Sequence, residues 1–336
     1  MPGFFVFMRR IILVLSIVLL SLPLSASGGK EEDFIGVAIY WGSDAFIEEV
    51  TYYLEKEAEG RVPLRFVTAE RDQERQNQQI SDMIDQGAKA IIVNTVDRMA
   101  SGLIIDKCRQ SDVPLVFFNR QPLKDDMQKW EKVYYVGCPG GDGGIMVGNY
   151  FSSYWKAHPE LDRNGDGVLQ FVLIIGEPGH QDTELRTEYL LRTLSENGVD
   201  IDKLEEVSGG WVRENARNVM TRYLNSYGDT IEAVFCNNDE MAIGAIDALK
   251  EQGWFQDGKY MPVTGVDGTP AGREVLEEGT LLCTVLNDAE KQAKVAYDLA
   301  LRLMEGELPE GTSAGFDIEG RYVWVPYQEM PGVRDI

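Results

Sequence analysis

Residues 162–180 read DRNGDGVLQFVLIIGEPGH and are the part of the sequence most informative about the fold. They contain an acidic loop, an apolar strand and a polar segment, in that order. In the first half of this stretch, oxygen-bearing side chains occur at every second position, at Asp162, Asn164 and Asp166, and a glycine follows. A calcium loop has this arrangement, with a backbone carbonyl at its seventh position and another oxygen at its ninth. Val168 and Gln170 occupy those positions, so the loop offers about five oxygen ligands.

The loop lacks the ligand that closes an EF-hand. The twelfth position, which holds a bidentate Glu in an EF-hand, is Leu173, inside an apolar run that predicts a buried strand. Either the last ligand comes from another part of the fold, or the loop is a turn without metal, because Asp and Asn side chains readily accept hydrogen bonds from their own backbone. The residues of the loop leave both alternatives open.

The segment after this strand carries an unusual set of polar side chains. His180, Asp182 and Arg186 follow the strand end, where open α/β sheets bind their ligands. The structural alternative is that Asp182 caps a helix and that Arg186 pairs with Glu184 or Glu188 on its surface. On these residues alone, the structural alternative is the simpler interpretation.

Composition and charge describe an acidic globular protein. The chain has 336 residues and a formal net charge of −23, with 44% hydrophobic and 26% charged residues, a length that suits about two domains. This charge disfavours nucleic acids and anionic membranes as partners, because both bind basic patches. The four cysteines show no metal-binding spacing, and the sequence pairs none of them, although Cys236 and Cys283 lie in apolar runs typical of buried strands; the other two are Cys108 and Cys138.

The first 27 residues have the pattern of an export signal. Arg9 and Arg10 form a basic start, and residues 11–22 form an apolar segment too short to span a bilayer comfortably. Small residues at 25–27 suit a cleavage site, although an uncleaved anchor is the alternative. We therefore expect a signal peptide over residues 1–27 and a mature chain outside the cytoplasm.

Strands and helices alternate along the rest of the chain. Near-continuous apolar strands separated by helices predict parallel sheets that are covered on both faces. Several strands end on, or just before, a polar side chain, and these ends meet at the sheet edge where α/β proteins bind ligands: the residues are Asp44, Asn94, Asn238, Asp267 and Asn287. Each alone is usually a turn residue or a helix cap, but together with Arg186 they suit the hydroxyl groups of a sugar. Phe46 and Trp211 offer flat faces for its ring.

This combination resembles the periplasmic galactose- and glucose-binding proteins over nearly the whole mature chain. The resemblance rests on the acidic loop joined to residues 176–180, on Asp44 and Phe46 after the first strand, and on the strand-end runs at residues 237–239, 265–267 and 284–288. It implies the periplasmic binding protein type I fold: an α/β protein of two doubly wound parallel-sheet lobes joined by a three-strand hinge.

The resemblance also implies where the lobes begin and end. Crossings between the lobes are expected near Asn119, Asp288 and Gly320. The N-terminal lobe would then comprise residues 28–118 and 288–319, and the C-terminal lobe residues 119–287 and 320–336, including the calcium loop.

The function implied by the resemblance is capture of D-galactose or D-glucose between the lobes and delivery to an ABC transporter permease. The protein would act in the periplasm as a monomer without catalysis, with a chemoreceptor as a further partner. The implied sugar site consists of Asp44, Phe46, Asn94, His180, Asp182, Arg186, Trp211, Asn238, Asp267 and Asn287. The implied structural Ca²⁺ is held by Asp162, Asn164, Asp166, the Val168 carbonyl, Gln170 and, as the missing bidentate carboxylate, Glu232.

Two other functions stay open at this stage. One is an exported protein that binds a different monosaccharide, because Trp41-Gly42-Ser43, Cys138 and Ser208-Gly209-Gly210 depart from the family pattern near the site. The other is an exported glycosidase that uses Asp44, Asp182 and Asp267 as catalytic carboxylates. Arg186 and the amides argue against the glycosidase, since they favour ionised carboxylates over an acid with a raised pKa.

Overall fold

The computed structural model describes residues 32–333, so the expected signal peptide lies outside the described residues. Its strands are β1 Ile35–Ile39, β2 Leu64–Thr68, β3 Ala90–Val93, β4 Leu115–Phe118, β5 Val133–Gly137, β6 Val168–Ile175, β7 Asp200–Ser208, β8 Ala233–Cys236, β9 Val263–Thr264, β10 Cys283–Leu286, β11 Thr312–Ser313, β12 Phe316–Glu319, β13 Tyr322–Trp324 and β14 Gln328–Pro331. Its α-helices are α1 Ala45–Ala58, α2 Gln73–Asp85, α3 Ser101–Gln110, α4 Lys124–Met127, α5 Gly140–Ala157, α6 Gln181–Glu196, α7 Arg213–Tyr227, α8 Asp239–Glu251, α9 Pro270–Glu277 and α10 Ala289–Met304.

The strands form two separate, mainly parallel sheets, one in each lobe. The first sheet has the order β11-β12-β13-β5-β4-β3-β1-β2, and the second has the order β14-β10-β9-β8-β6-β7. Antiparallel pairing is confined to one end of each sheet, where β12 pairs with β11 and β13, and β14 pairs with β10. The expected fold of two α/β lobes is confirmed.

Helices cover both faces of each sheet, which explains why the central strands are apolar at every position. In β1, Val37 and Ile39 pack with α1 and α10, whereas Ala38 faces the other way and packs with α2 and α3. All five residues of β1 are buried. Successive side chains of a strand point to opposite faces, so burial on both faces requires an uninterrupted apolar run rather than an alternating one.

Two of the three expected crossings between the lobes fall elsewhere. β5 pairs with β4 in the first sheet, so the chain leaves the first lobe after Gly137 and not near Asn119. β13 also pairs with β5, so the last crossing follows Trp324 rather than Gly320. The middle crossing lies between β10 of the second sheet and α10, which packs on the first sheet, in agreement with the expectation at Asp288.

Two further properties concern the cysteines and the hydropathy of the helices. All four cysteines are buried and free, which fits the expectation of small buried side chains at Cys236 and Cys283. Within residues 32–333, no helix combines the length and the apolar composition needed to cross a membrane.

Candidate functional site

A cleft between the two lobes collects most of the side chains expected to bind a ligand. It is lined from the first lobe by Tyr40, Asp44, Phe46, Ile47, Asn119 and Arg120, and from the second by His180, Asp182, Arg186, Trp211, Asn238 and Asp267. All the expected residues except Asn94 and Asn287 are therefore part of the lining. Tyr40, Ile47, Asn119 and Arg120 are additions that sequence reasoning missed.

Asn94 and Asn287 lie directly behind the lining. The Asn94 amide donates to Asn119 Oδ1 at 3.0 Å, and the Asn287 amide donates to Asp267 Oδ1 at 3.1 Å. Both asparagines are buried, and Asn94 Oδ1 has no hydrogen-bond partner. A buried acceptor without a partner is costly, so a ligand donor at this position would be favourable.

The first-lobe side of the cleft is built on the turn from β1 into α1. Asp44 caps α1 by accepting a hydrogen bond from the Ile47 amide at 3.1 Å, and the Tyr40 hydroxyl donates to its other oxygen. These contacts hold the carboxylate at the N-terminus of the helix, where the macrodipole favours negative charge. Phe46 lies in the first turn of the same helix and is buried.

Arg186 is the centre of the second-lobe side. Its guanidinium donates to the Asn237 carbonyl at 2.7 Å and to the Tyr327 hydroxyl at 2.8 Å. It also pairs with Asp182 at 3.2 Å and with Asp267 at 3.4 Å. The structural alternative from the sequence, a surface pair with Glu184 or Glu188, is therefore wrong: Arg186 is only 4% exposed, and its partners are carboxylates of the cleft.

Helix α6 positions two further side chains of this group. It begins at Gln181, and His180 is its N-cap, because His180 Nδ1 accepts a hydrogen bond from the Asp182 amide at 3.1 Å. Burial lowers the pKa of His180 well below its ordinary value, and the nearby Arg120 and Arg186 lower it further, so the imidazole is neutral. A neutral His180 can accept at Nδ1 while its other nitrogen donates.

The two carboxylates beside Arg186 do not have the low pKa that the sequence suggested. Burial raises the pKa of Asp267 to about 8, against the opposing effect of Arg186. Burial also raises the pKa of Asp182, although Arg186 lowers it. Desolvation thus opposes the Arg186 guanidinium, which by itself lowers the pKa of both carboxylates and favours their ionised form.

Trp211 lines the cleft from the second lobe, and Phe46 lines it from the first. The φ of Trp211 is 69°, in the left-handed region, and its ring lies against Gly176, where a Cβ would approach Cη2 to 2.1 Å. The His180 ring meets it edge-on with the centroids 5.1 Å apart. Trp211 is 8% exposed, and its indole Nε1 has no hydrogen-bond partner. The contacts with Gly176 and His180 thus hold the ring in one orientation at the cleft.

The cleft is nearly closed. Its cavity volume is about 30 Å³, room for about two water molecules. Contacts between the lobes accompany this closure: Arg120 pairs with Glu177 at 2.7 Å, Gln181 donates to the Asn119 carbonyl at 2.9 Å, and Arg71 donates to the Gly210 carbonyl at 3.4 Å. A ligand the size of a monosaccharide enters or leaves only when the walls move apart.

The acidic loop lies away from the cleft and is ordered by its own hydrogen bonds. Asp162 accepts from the Gly165 and Gly167 amides at 2.8 and 2.9 Å, as in an Asx turn. Among residues 32–333, no group of three or more His, Cys, Asp or Glu side chains is arranged to hold a metal ion. Asn164 Oδ1 and Asp166 Oδ1 also accept from backbone amides, at 2.9 and 2.8 Å, whereas Gln170 Oε1 accepts from the side-chain amide of Asn164 at 3.1 Å.

Glu232 lies beside the acidic loop and contacts its backbone. It is fully buried, and its two oxygens accept from the backbone amides of Arg163 at 2.7 Å and Gln170 at 3.0 Å, at opposite ends of the loop. Burial raises its pKa, and repulsion from Asp162 adds to the increase. The donor set of carboxylates, amides and a carbonyl suits calcium by residue type.

The two-lobed fold and the cleft between its lobes define the class of the protein. The sequence profile of the periplasmic binding protein domain matches residues 35–308, and the chain belongs to this family. It is similar to the D-galactose/methyl-galactoside binding periplasmic protein MglB of Haemophilus influenzae, with 35% identity over 94% of this chain and 95% of that protein.

Two other relatives show the breadth of the family. A putative rhizopine-binding protein of Rhizobium meliloti is 31% identical over 80% of this chain and 79% of its own. Among solved structures, an ABC transporter solute binding protein of Bacillus halodurans C-125 with bound myo-inositol has a TM-score of 0.75 and 27% identity, covering 91% of this chain and 96% of that one.

Proposed function

We propose that the protein binds a hexose, D-galactose or D-glucose, in the cleft and delivers it to an ABC transporter permease. The observation that carries this proposal is the composition of the cleft: Phe46 and Trp211 line it from opposite lobes, Asp182 and Asp267 pair with Arg186, and Asp44 lines the first-lobe side. Flat aromatic faces suit the C–H surfaces of a pyranose, and carboxylates and guanidinium groups suit its hydroxyls. The similarity to a protein named for galactose supports the choice of hexose.

Orphaned polar atoms support a ligand with many hydroxyl groups. Asn94 Oδ1, Arg186 Nε and Trp211 Nε1 are buried without hydrogen-bond partners, and two of these residues line the cleft while Asn94 lies directly behind it. Buried polar groups usually have partners, so we assign these atoms to the ligand or to water that accompanies it. Both donors and an acceptor occur among them, as a hydroxyl-rich ligand requires.

A cyclic polyol other than a hexose is the second candidate. The structural relative from Bacillus halodurans holds myo-inositol, which offers a ring of hydroxyls but no ring oxygen. A thermal-shift screen separates the two, because a ligand that binds only the folded state raises the melting temperature with its concentration. We expect the largest shift with galactose or glucose; a larger shift with myo-inositol would replace the hexose.

The protein acts by binding, without catalysis. The raised pKa values of Asp182 and Asp267 resemble those of catalytic acids, so we infer a binding protein from the family and not from the protonation of these groups. Incubation with aryl galactosides and aryl glucosides tests the alternative of a glycosidase. Sustained release of the phenol by the wild-type protein, and its loss in Asp267→Asn, would overturn the assignment as a binding protein.

We also propose a structural calcium ion at the acidic loop, held by Asp162, Asn164, Asp166, the Val168 carbonyl, Gln170 and Glu232. The support is the burial of Glu232 between the two ends of the loop. A cation there would favour the ionised form of a carboxylate that burial disfavours. Location in the periplasm, the monomeric state and a chemoreceptor partner stay predictions; gel filtration tests the second and a receptor pull-down the third.

A further inference from the structure

Asp239 is a fully buried carboxylate that does not line the cleft. It begins α8, directly after Asn238, and it is 0% exposed. Its Oδ2 accepts hydrogen bonds from the Thr269 amide at 2.8 Å and the Thr269 hydroxyl at 3.4 Å, and its Oδ1 accepts from the Thr284 hydroxyl at 2.7 Å. These partners are neutral, so no ion pair accounts for an acid at this position.

The partners of Asp239 belong to the turn that carries Asp267. Asp267 has φ 120° and Gly268 has φ 65°, both outside the conformations that side chains favour. A non-glycine residue with such a φ is strained and keeps that conformation only when its surroundings hold it. Thr269 ends this turn and caps α9, since its hydroxyl accepts from the Gly272 amide at 3.1 Å.

The Asp239 carboxylate fits its surroundings only because two backbone positions beside it are glycines. A Cβ at Gly265 would lie 2.3 Å from its Oδ1, and a Cβ at Gly272 would lie 2.2 Å from its Oδ2. Both distances are shorter than any real contact of a Cβ atom. The two glycines therefore let the carboxylate sit between a strand end and the start of α9, where it joins β10, the turn and α8.

We propose that Asp239 is a positioning residue for the ligand site: its carboxylate clamps the turn at residues 267–269 and so fixes Asp267 against Arg186. The clamp acts through the backbone, because Asp239 accepts from the amide two residues beyond Asp267. On the other side, Asn287 and Arg186 hold the Asp267 carboxylate, at 3.1 and 3.4 Å. Asp239 thus fixes the backbone of the turn, and a shift of this backbone would move the Asp267 side chain away from Asn287 and Arg186.

Three variants distinguish this role from a contribution to stability alone. Asp239→Ala leaves the Thr269 amide without its acceptor, whereas Asp239→Asn keeps an oxygen for this amide and can donate to the Thr284 hydroxyl. Thr284→Val is the matched control, because it removes one bond of the same carboxylate and leaves the turn intact. Should Asp239→Ala not fold, Asp239→Ser serves as the variant with a shortened side chain.

Calorimetry with D-galactose and D-glucose gives the first readout, and this arm rests on the proposed function. We expect roughly 10-fold weaker binding in Asp239→Ala, recovery to within about threefold in Asp239→Asn, and little change in Thr284→Val, even where melting temperatures fall equally. In an Asp267→Ala background, Asp239→Ala should have almost no further effect, since residues that act through one another are not additive. Hexose affinity unchanged in Asp239→Ala, or full additivity, would overturn the proposal.

Hydrogen exchange of a peptide over residues 265–272 gives a second readout without ligand. Its amides should exchange faster in Asp239→Ala than in the wild type, and at the wild-type rate in Thr284→Val. Equal exchange in all three proteins would overturn the clamp. If the wild-type protein binds neither hexose, the proposed function is wrong. Faster exchange in Asp239→Ala than in the wild type would still support the role of Asp239 in holding the turn.

Discussion

The guanidinium of Arg120 in the first lobe lies 2.7 Å from the carboxylate of Glu177 in the second. Arg120 also donates to the Val96 carbonyl at 2.7 Å and stacks on the Tyr40 ring, 3.8 Å from its centroid. Its side chain is 5% exposed, so it is fixed by the first lobe and reaches across to the second. The ion pair therefore joins the two lobes in this structure.

The first prediction concerns this ion pair. Glu177→Gln should weaken ligand binding roughly 3- to 10-fold: we expect the pair to separate when the lobes open, so its loss should lower the population of the closed form that holds the ligand. Calorimetry at low and moderate salt measures the change, and the wild-type affinity should show the stronger salt dependence. Asp247→Asn, which breaks the Arg213 pair within the second lobe, is the control. Equal affinities for Glu177→Gln and wild type would exclude a role of the pair in closure.

Trp211 provides the second prediction. Trp211→Ala should cost about 2 kcal/mol or more of binding free energy, about 30-fold in affinity, because a buried aromatic at the centre of a site dominates binding. Trp254→Ala is the matched control, since Trp254 belongs to the same lobe and is equally buried but lies outside the cleft. That control should lose stability and keep its affinity. A wild-type affinity in Trp211→Ala would remove Trp211 from the ligand site.

The fold could be predicted from the sequence, but the assignment of strands to lobes could not. Residues 133–137 form an apolar run that reads the same in either sheet, and its place depends on pairing with β4 and β13, a contact distant in sequence. The crossing expected at Asn119 is wrong for this reason. The alternation of strand and helix, in contrast, is local and fixes the class of fold.

Most residues of the cleft could be predicted from the sequence because they follow strand ends. Arg120 follows β4 in the same way and could have been found by that rule, but a single Arg at a strand end is usually a surface residue. The raised pKa of Asp267 could not be predicted from the sequence, because the burial of a side chain depends on the tertiary fold. Here burial raises the pKa and opposes the lowering by Arg186 that the sequence suggested.

The third prediction concerns pH. The folded-state pKa of Asp267, about 8, lies above the ordinary value near 3.8, so the folded protein binds a proton that the unfolded chain releases. The stabilisation is complete below the unfolded pKa and is lost as the pH rises through the folded pKa. The free energy of unfolding, measured with urea between pH 5 and 8, should fall with rising pH, and less steeply in Asp267→Asn. An identical slope in that variant would show that Asp267 ionises normally.

Calcium gives the fourth prediction. A chelator should lower the melting temperature, and Glu232→Gln should largely abolish this effect, because an ion bound only by the folded state adds stability. Asp202→Asn, on the strand beside β6, is an exposed control and should keep the chelator effect. Ligand affinity should change little in each case, because the loop is remote from the cleft. A melting temperature indifferent to calcium and chelator would leave the loop an Asx turn.

Calorimetric titration of the wild-type protein with D-glucose, D-galactose, D-ribose and myo-inositol is the most direct test of hexose binding in the cleft. We expect tight binding of both hexoses, because the Asp44 carboxylate can accept from a hydroxyl in either epimeric position, and weak binding of the other two. Tight binding of ribose or myo-inositol, with neither hexose bound, would contradict it.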